Sequence, residues 1–258
     1  MRIKSLAYDD RRLRDIAGEP LIATMTESAA RCCGMGLVYE FWGVYDGRWD
    51  KTPKGFLLQK GHALWATALC PEAVPVITDF LRWRNEGWLM LDGALAAAWE
   101  QQTGEAGLPL TVMALPESAV YTLPQAGAFP DTATEVVDCN LAVGEILPGQ
   151  YEAAVVNLHL AQRRRVGYSV TMQQDGKVVS AAAVTDSGTR YGQISYVATL
   201  PEYEGKGLGR AAVYCCADHL RGRGLTPLVA CEAHRESFYT ELGFIPVSGV
   251  WIFTEKNT

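Results

Sequence analysis

This sequence of 258 residues lacks an excess of basic residues, since 23 Lys and Arg stand against 29 Asp and Glu for a formal net charge of -6. Such an acidic balance argues against nucleic acid or an anionic membrane as the main partner, because both attract positive surfaces. Long apolar runs are missing too: no stretch approaches the ~18 uninterrupted apolar residues of a membrane-spanning helix. Met1–Asp10 has no apolar core like that of a signal peptide. We therefore expect a cytoplasmic protein that binds neither nucleic acid nor membrane.

The cysteines follow no disulfide or metal-binding spacing. Seven cysteines occur, an odd number, with two adjacent pairs and no C-x-x-C. Structural zinc sites use closely spaced Cys and His ligands, and small disulfide-stabilised domains use an even set of cysteines. We therefore expect free thiols in a reducing compartment, with neither a disulfide framework nor a metal site.

The residues that are present have the composition of a globular protein, with 48% hydrophobic, 20% charged and 10% aromatic. Strand-like and helix-like segments alternate, which predicts an α/β protein. Periodicity fails between Pro116 and Asp138, where Pro, Gly and small residues dominate. We predict an N-terminal α/β domain over residues 1–118, a linker or crossover over 119–138, and a C-terminal domain over 139–258.

In the first half, the spacing of apolar and charged residues predicts most elements directly. Asp9–Ala17 is predicted as a charged helix, and Thr26–Cys33 as a helix of small residues that ends at Gly34. The segment Phe56–Leu69 is predicted as one strand that follows a strand at Leu37–Tyr45. The other predicted elements are a strand at Arg2–Ala7, a helix from Pro71, an apolar run at Trp88–Leu91, a helix at Ala94–Gln102 and a strand at Leu110–Leu115.

In the second half, the clearest local pattern is a β-hairpin. Asp175-Gly176 lies between two strand-like segments, Tyr168–Met172 and Lys177–Val184, and Asp-Gly is a preferred two-residue hairpin turn. The other predicted elements are a helix at Pro148–Arg165, strands at Gln193–Thr199, Thr226–Cys231 and Val250–Thr254, and helices at Leu208–Leu220 and Arg235–Leu242.

The most informative segment is Pro201–Arg210, PEYEGKGLGR in one-letter code, between a predicted strand and a predicted helix. Its glycines allow a sharp turn, and the backbone N–H groups at the start of the helix can bind a phosphate or pyrophosphate. Lys206 and Arg210 add positive charge. Two other phosphate loops fit less well: a Walker loop needs Ser or Thr after Lys206, and a dinucleotide fingerprint needs Gly where this chain has Arg210. A Gly-rich turn without a ligand is the remaining alternative.

The loop resembles the acetyl-CoA signature of the GNAT acetyltransferase superfamily, [QR]-x-x-G-x-[GA] after Pro-x-Tyr. Pro201 and Tyr203 precede it, and Gly207 and Gly209 occupy the two small-residue positions. Glu204 stands where the family has Gln or Arg, so we expect its carboxylate to oppose the charge of the pyrophosphate. The resemblance implies that CoA binds to the strand before the loop and to the loop itself. These cofactor-binding residues are Val197, Ala198, Thr199, Glu204, Gly205, Lys206, Gly207, Leu208, Gly209 and Arg210.

A second segment, Phe238–Phe244 (FYTELGF), resembles the FYxxLGF stretch of the same family. The family tyrosine at this position faces the departing sulfur, which implies that Tyr239 is the acid for the leaving thiolate. The other interpretation of Tyr239 is a core residue that anchors its helix. Glu232, His234 and Glu236 are close in sequence but carry no motif, so the general base stays unassigned.

The resemblance implies an α/β (α+β) fold for residues 139–258, with a mixed, mostly antiparallel sheet flanked by helices. It also implies an N-acyltransferase that moves an acetyl group from acetyl-CoA, its co-substrate, directly to a primary amine of a small molecule or peptide, without a metal. The alternative is a non-catalytic or regulatory module that binds acyl-CoA, which Glu204 favours. The oligomeric state stays open, a homodimer included.

The first half repeats the family's order of elements without its third central strand and its phosphate loop. We therefore predict that the first half is either a degenerate sister domain or an unrelated α/β module, and that it binds no CoA. Its tryptophans have two interpretations, as walls of an acceptor cleft or as core residues. They are Trp42, Trp49, Trp65, Trp83, Trp88 and Trp99.

Overall fold

The computed structural model describes residues 1–33, 39–47, 52–84, 87–123, 128–130 and 132–254. They form two compact units. Unit 1 contains Met1–Val112, Ala230–Glu236 and the residues from Pro246 on, and unit 2 contains Met113–Val229 and Ser237–Ile245. The units therefore differ in extent from the predicted domains, because two short C-terminal segments pack with the N-terminal residues.

Strands and helices alternate along the described chain. The strands are β1 (Arg2–Leu6), β2 (Tyr39–Tyr45), β3 (Gly55–Lys60), β4 (Ala63–Ala68), β5 (Trp88–Asp92), β6 (Leu108–Ala114), β7 (Ala128–Pro130), β8 (Tyr168–Gln174), β9 (Lys177–Ser187), β10 (Tyr191–Thr199), β11 (Thr226–Cys231) and β12 (Ile245–Phe253). The helices are α1 (Pro20–Cys32), α2 (Ala73–Arg84), α3 (Gly93–Thr103), α4 (Ala133–Ala142), α5 (Tyr151–Arg163), α6 (Leu208–Arg221) and α7 (Glu236–Glu241).

The sheet of unit 1 has the strand order β1-β2-β3-β4-β5-β12-β6. Strands β1 to β4 are antiparallel, β4 and β5 are parallel, and β5 and β12 are antiparallel. Side chains of α2 and α3 pack with one face of this sheet in a core that includes Leu57, Leu64, Leu81 and Leu95. Three of the tryptophans, Trp42, Trp65 and Trp99, are buried, whereas Trp83 is 77% exposed, and Trp49 lies outside the described residues.

One helix prediction in the first half is wrong, and a second predicts the helix correctly but its start too late. In place of a helix at Asp9–Ala17 there is a short 3-10 turn at Arg11–Leu13, and Asp15 has φ +55, which helices do not adopt. Helix α1 begins at Pro20 rather than at Thr26, because Pro is favoured at the first helical position and Glu19 caps the N–H of Ile22. The predicted end at Gly34 lies outside the described residues.

The predicted single strand Phe56–Leu69 is also wrong, since it is the hairpin of β3 and β4. Gly61, at φ +58, forms the turn between them, a conformation that glycine adopts without steric cost. The third central strand, which the sequence interpretation found missing, is therefore present. Unit 1 thus has the same succession as unit 2: three antiparallel strands, a helix, and a strand parallel to the third.

Among the described residues of unit 1, three carboxylates are buried, those of Glu19, Glu27 and Asp92. Glu19 and Asp92 are each 8% exposed. Glu19 accepts hydrogen bonds from the N–H of Ile22 at 2.7 Å and from the hydroxyl of Ser248 at 2.6 Å. Burial raises the pKa of Glu19, although these two hydrogen bonds act in the opposite direction. A carboxylate with a raised pKa binds a proton more tightly in the folded chain than in the unfolded chain.

The raised pKa of Glu19 predicts that the effect of Glu19→Gln on stability depends on pH. The stability that a raised pKa provides is fully present below the unfolded pKa and is lost as pH rises through the folded pKa. Gln does not ionise and can still accept from Ile22 and donate to Ser248. The melting temperature of the variant relative to that of the wild type should therefore increase as pH rises from about 4 to 8. If the melting temperatures of Glu19→Gln and the wild type change with pH in parallel, as expected for the exposed control Glu152→Gln, the burial effect is refuted.

The sheet of unit 2 contains β7-β8-β9-β10-β11 in this order, with β10 and β11 parallel and the other neighbours antiparallel. The predicted hairpin is confirmed, with Asp175 at φ +51 and Gly176 at φ +76 between β8 and β9. Helices α4 and α5 pack with Ala181, Ala183 and Ala198. Helix α6 also packs with the sheet of unit 2, against β8, β9 and β10.

The predicted linker 119–138 contains the first residues of a helix. Ala133 begins α4, and Val136 and Val137 are fully buried in the core of unit 2. The helix was missed because its short apolar face gives little periodicity, and its N-cap Thr132 makes no side-chain capping bond.

All seven cysteines have free thiols. Within the described ranges, no three His, Cys, Asp or Glu side chains are grouped so that they could hold a metal ion. The same residues contain no helix that is long and apolar enough to cross a membrane.

Candidate CoA-binding and transfer site

The Gly-rich loop of unit 2 leads from β10 into α6. A 3-10 turn at Pro201–Tyr203 is followed by Gly205 at φ +71 and by Gly207 at φ +77, which is the N-cap of α6. A Cβ at either glycine would meet no atom within 4 Å, so this face of the loop is open. The first intrahelical bond runs from the N–H of Ala211 to the oxygen of Gly207. The preceding N–H groups at the start of α6 have no intrahelical acceptor and are available to an anion.

Gly209 serves a different purpose from the other two glycines. A Cβ at this position would lie 2.9 Å from the hydroxyl oxygen of Thr199 and 3.8 Å from the ring of Phe238. Thr199 itself is hydrogen bonded to Ser180 at 2.9 Å. Gly209 thus allows the first turn of α6 to pack closely on the end of β10 and on α7. The sequence predicted a small residue here without showing which neighbour requires it.

Charged side chains surround the loop. Lys206 donates to the backbone oxygen of Glu202 and lies 4.6 Å from the ring centre of Tyr203. Lys177 pairs with the carboxylate of Glu202 at 3.2 Å. The pKa of Glu202 is lowered, first by its own backbone N–H and then by Lys177. Arg210 lies 3.8 Å from Glu241 of α7, and both side chains are largely exposed. The loop therefore has two exposed cations, Lys206 and Arg210.

Glu204 is exposed in the same loop, and among residues 132–254 its carboxylate has no described ion pair. It is the loop's uncompensated negative charge. We expect Glu204→Gln to tighten CoA binding about threefold to tenfold at low salt, because it removes repulsion between a carboxylate and phosphates. Isothermal titration at two salt concentrations would measure this, and the gain should shrink as salt rises. Weaker binding by Glu204→Gln, or an equal gain from the remote control Glu152→Gln, would contradict the expectation.

Strand β10 parts from β11 before it reaches the loop. Their parallel pairing joins Tyr191–Gln193 to Thr226–Leu228, whereas β10 continues to Thr199. Beyond Gln193, the described residues of β10 are no longer paired with β11. The predicted residues Val197, Ala198 and Thr199 lie on this unpaired edge, where strand hydrogen bonds are available to a ligand.

A β-bulge interrupts β10 at Tyr196 and Val197, the first of those residues. Ser195 is opposite Ala183 and Ala198 is opposite Ala181, so Tyr196 and Val197 together face one residue of β9. Tyr196 has φ +52, which is rare for a residue other than glycine. Burial raises the pKa of its phenol, and Asp186 adds to the effect. Sequence reasoning did not find this bulge, since no glycine marks it.

Tyr239 lies on α7 in unit 2. Its ring is in edge contact with the rings of Phe238 and Phe244, at centroid distances of 5.0 and 5.7 Å, and the residue is 6% exposed. Gly209 and Arg210 of α6 approach Phe238 and Glu241 on the same helix. The structure thus brings the helix of Tyr239 beside the first turn of α6. The burial of Tyr239 suits both an acid in a dry site and an anchor of α7.

The residues just before and at the start of α7 make polar contacts. His234 lies 3.7 Å from Glu232 and accepts from the guanidinium of Arg235 at 3.2 Å, and Glu236 accepts a hydrogen bond from Thr111. No geometry singles out a general base among them. Burial raises the pKa of the nearby Cys231 thiol, and Glu236 adds to this, so the thiol stays protonated at neutral pH. Protonated thiols are poor nucleophiles, in line with direct transfer.

In the part of unit 1 that the structure describes, the features that make this site are not repeated. Its parallel strands pair over Ala63–Ala66, and the next residues are bonded to Asp92. The carboxylate of Asp92 accepts from the hydroxyl of Thr67 at 2.9 Å and from the N–H of Ala68 at 2.6 Å. The segment between β4 and α2 contains no glycine. Asp92 therefore takes up the backbone donor that would otherwise be available at the end of β4.

The sequence model described as acetyltransferase (GNAT) family matches residues 140–244. This segment is a GNAT acetyltransferase domain, which confirms the resemblance found in the two motifs and supports acyl transfer in general. It includes the loop, the bulged strand and Tyr239. A search of curated proteins found no match to this chain.

Several solved structures have a similar fold at low sequence identity. A tandem GNAT protein from the clavulanic acid biosynthesis pathway is 15% identical, with a TM-score of 0.59 over 100% of this chain and 99% of its own. A GCN5-related N-acetyltransferase from Kribbella flavida is 15% identical, with a TM-score of 0.61 over 92% and 95%. A GNAT acetyltransferase from Colwellia psychrerythraea is 11% identical, with a TM-score of 0.57 over 99% and 100%. The likeness to the tandem protein supports two GNAT-like domains in this chain.

Proposed function

We propose that the GNAT domain of this chain is an N-acetyltransferase, which moves the acetyl group of acetyl-CoA to a primary amine of a small molecule or peptide by direct attack. One observation carries the proposal: a bulged strand leaves its parallel neighbour and runs into an open, glycine-containing helix N-terminus. A pantetheine arm needs an unpaired strand edge, and a pyrophosphate needs free N–H groups at a helix start. Unit 2 offers both in succession.

The described residues fit CoA as follows. The backbone of Val197–Thr199 would pair with the amides of the pantetheine arm. The N–H groups between Gly205 and Arg210 would hold the pyrophosphate, with Lys206 and Arg210 contributing charge. Glu204 opposes this charge, but it does not block the backbone donors.

Acetyl-CoA supplies a thioester, an acyl group activated for attack by an uncharged amine. Tyr239 would donate its phenolic proton to the departing sulfur as the carbon–sulfur bond breaks and the new amide bond forms. The amine loses a proton to a base that the site leaves unassigned, either directly or through water. The carbonyl oxygen gains negative charge during attack, and backbone N–H groups of β10 would be its donors.

A single titration series tests the binding part of this proposal. CoA and acetyl-CoA should raise the melting temperature and bind with a stoichiometry of one per chain, because Asp92 occupies the corresponding strand end of unit 1. Two bound molecules per chain would contradict the assignment to unit 2 alone. Absence of any CoA effect would overturn the proposed function.

A panel of small amines and peptide N-termini, scored by release of free CoA thiol, tests the transfer part. Thiol release that depends on the amine supports an N-acetyltransferase. Tight binding of acetyl-CoA with no thiol release for any amine favours the alternative, a regulatory module that binds acyl-CoA, which the exposed carboxylate of Glu204 makes worth testing. The proposed acceptors include neither nucleic acid nor membrane, in keeping with the formal net charge of -6.

A further inference from the structure

The bulge in β10 puts a residue with a large side chain into a conformation that glycine prefers. In the common bulge whose first residue is left-handed, that residue is glycine. Here it is Tyr196, at φ +52. A left-handed residue other than glycine is strained, so other contacts must stabilise it.

Asn140 of α4 makes such a contact. Its side-chain amide donates to the backbone oxygen of Tyr196 at 2.9 Å and to the backbone oxygen of Val136 at 2.8 Å. Both partners are carbonyl oxygens, which only accept hydrogen bonds. The side chain of Asn140 therefore bonds them with its amide N–H groups and not with its amide oxygen. Asn140 is 2% exposed, and a hydrogen bond in such a dry place is costly to lose. The side chain thus links α4 to the bulge.

The bulge also determines which backbone groups face a ligand. Neither Tyr196 nor Val197 has a register partner on β9 among the described strand residues. Val197 is the first residue of the strand edge that the proposed function assigns to CoA. A change in the φ of Tyr196 would turn the peptide that follows it and so redirect the N–H of Val197.

We propose that Asn140 is a positioning residue for acyl transfer: by bonding the carbonyl of Tyr196, its amide holds the left-handed bulge and thereby aims the N–H of Val197 at the thioester oxygen. This inference rests on the proposed function. It does not make Asn140 a catalytic residue, because Asn140 acts through the strand.

The test compares Asn140→Leu, which keeps the size of the side chain but cannot donate, with Asn157→Leu on α5 as the matched control. Amide hydrogen exchange at Ala198, which is paired with Ala181 just past the bulge, and at Leu200, whose N–H donates to the oxygen of Val179, reports on the bulge whether or not the enzyme turns over. We expect exchange there to become about tenfold faster in Asn140→Leu and to stay unchanged in the control. If Asn140→Leu does not fold, Asn140→Ser replaces it, since a serine hydroxyl can bond Val136 one turn earlier but does not reach the strand.

Kinetics then separate positioning from a general loss of structure. Asn140→Leu should lower kcat about 10-fold to 100-fold, because misplacing one donor impairs the transition state. Binding of CoA, which has no acyl oxygen, should change less than about threefold. In a Tyr196→Gly background, where the left-handed conformation is unstrained, Asn140→Leu should cost much less than in the wild type.

Each outcome decides the proposal. Unchanged exchange at Ala198 and Leu200 overturns it, with or without turnover in the wild type. Equal kcat losses in the wild-type and Tyr196→Gly backgrounds, or a loss of kcat matched by the control, also overturn it. If exchange becomes faster but the wild type transfers no acyl group, the proposed function fails, and with it the part of this inference that concerns kcat. The titration with CoA and acetyl-CoA detects that failure separately.

Discussion

Gly207→Asp is expected to weaken CoA binding more than 100-fold and to leave the chain folded. Gly207 is the N-cap of α6, and a Cβ there points into open space, so no neighbour is displaced. Asp is itself a favoured N-cap, whose carboxylate would accept the first N–H groups of the helix. The variant would therefore place a fixed anion on the donors that the pyrophosphate needs and repel the phosphates as well.

The control for this variant is Gly176→Asp in the turn between β8 and β9. Gly176 has φ +76 against φ +77 at Gly207, and a Cβ there also meets nothing within 4 Å. The two variants thus share backbone strain of about 1–2 kcal/mol and the added charge, but only one is at the helix start. Titration calorimetry and thermal melting would compare them. Equal CoA affinity in Gly207→Asp and wild type would remove the basis of the cofactor assignment.

Tyr239→Phe is expected to lower kcat about 100-fold or more, with little change in CoA affinity. Phe keeps the ring that packs between Phe238 and Phe244 and removes one oxygen. A phenol in water has a pKa of about 10 and a thiol about 8.5, so a phenol stays protonated at neutral pH and can donate to a leaving thiolate. A donor used mainly in the transition state affects kcat rather than ground-state binding.

Tyr214→Phe is the matched control, since Tyr214 is also buried in unit 2 and its hydroxyl donates only at 3.4 Å to the oxygen of Leu242. It should keep full turnover. Steady-state kinetics and melting curves of both variants distinguish the two roles of Tyr239. Full turnover of Tyr239→Phe combined with a lower melting temperature would make Tyr239 an anchor of α7.

The sequence by itself determined the features that depend on neighbouring residues. The hairpin turn at Asp175-Gly176 and the glycines of the loop were predictable, because a positive φ or a sharp turn restricts residue type locally. The two motifs around Gly207 and Tyr239 located the GNAT domain for the same reason. The third central strand of unit 1 was missed, although Gly61 and the polar residues Gln59, Lys60 and His62 mark its turn.

Only the tertiary structure decided the features that depend on residues distant in sequence. Helix α4 lay within a predicted linker because it is stabilised by burial of Val136 and Val137 rather than by its own periodicity. The bond from Asn140 to Tyr196 and the carboxylate of Asp92 at the end of β4 join residues that no local pattern connects. Burial and hydrogen bonding across strands and helices are long-range effects, and they determine here which unit keeps an open strand edge for a ligand.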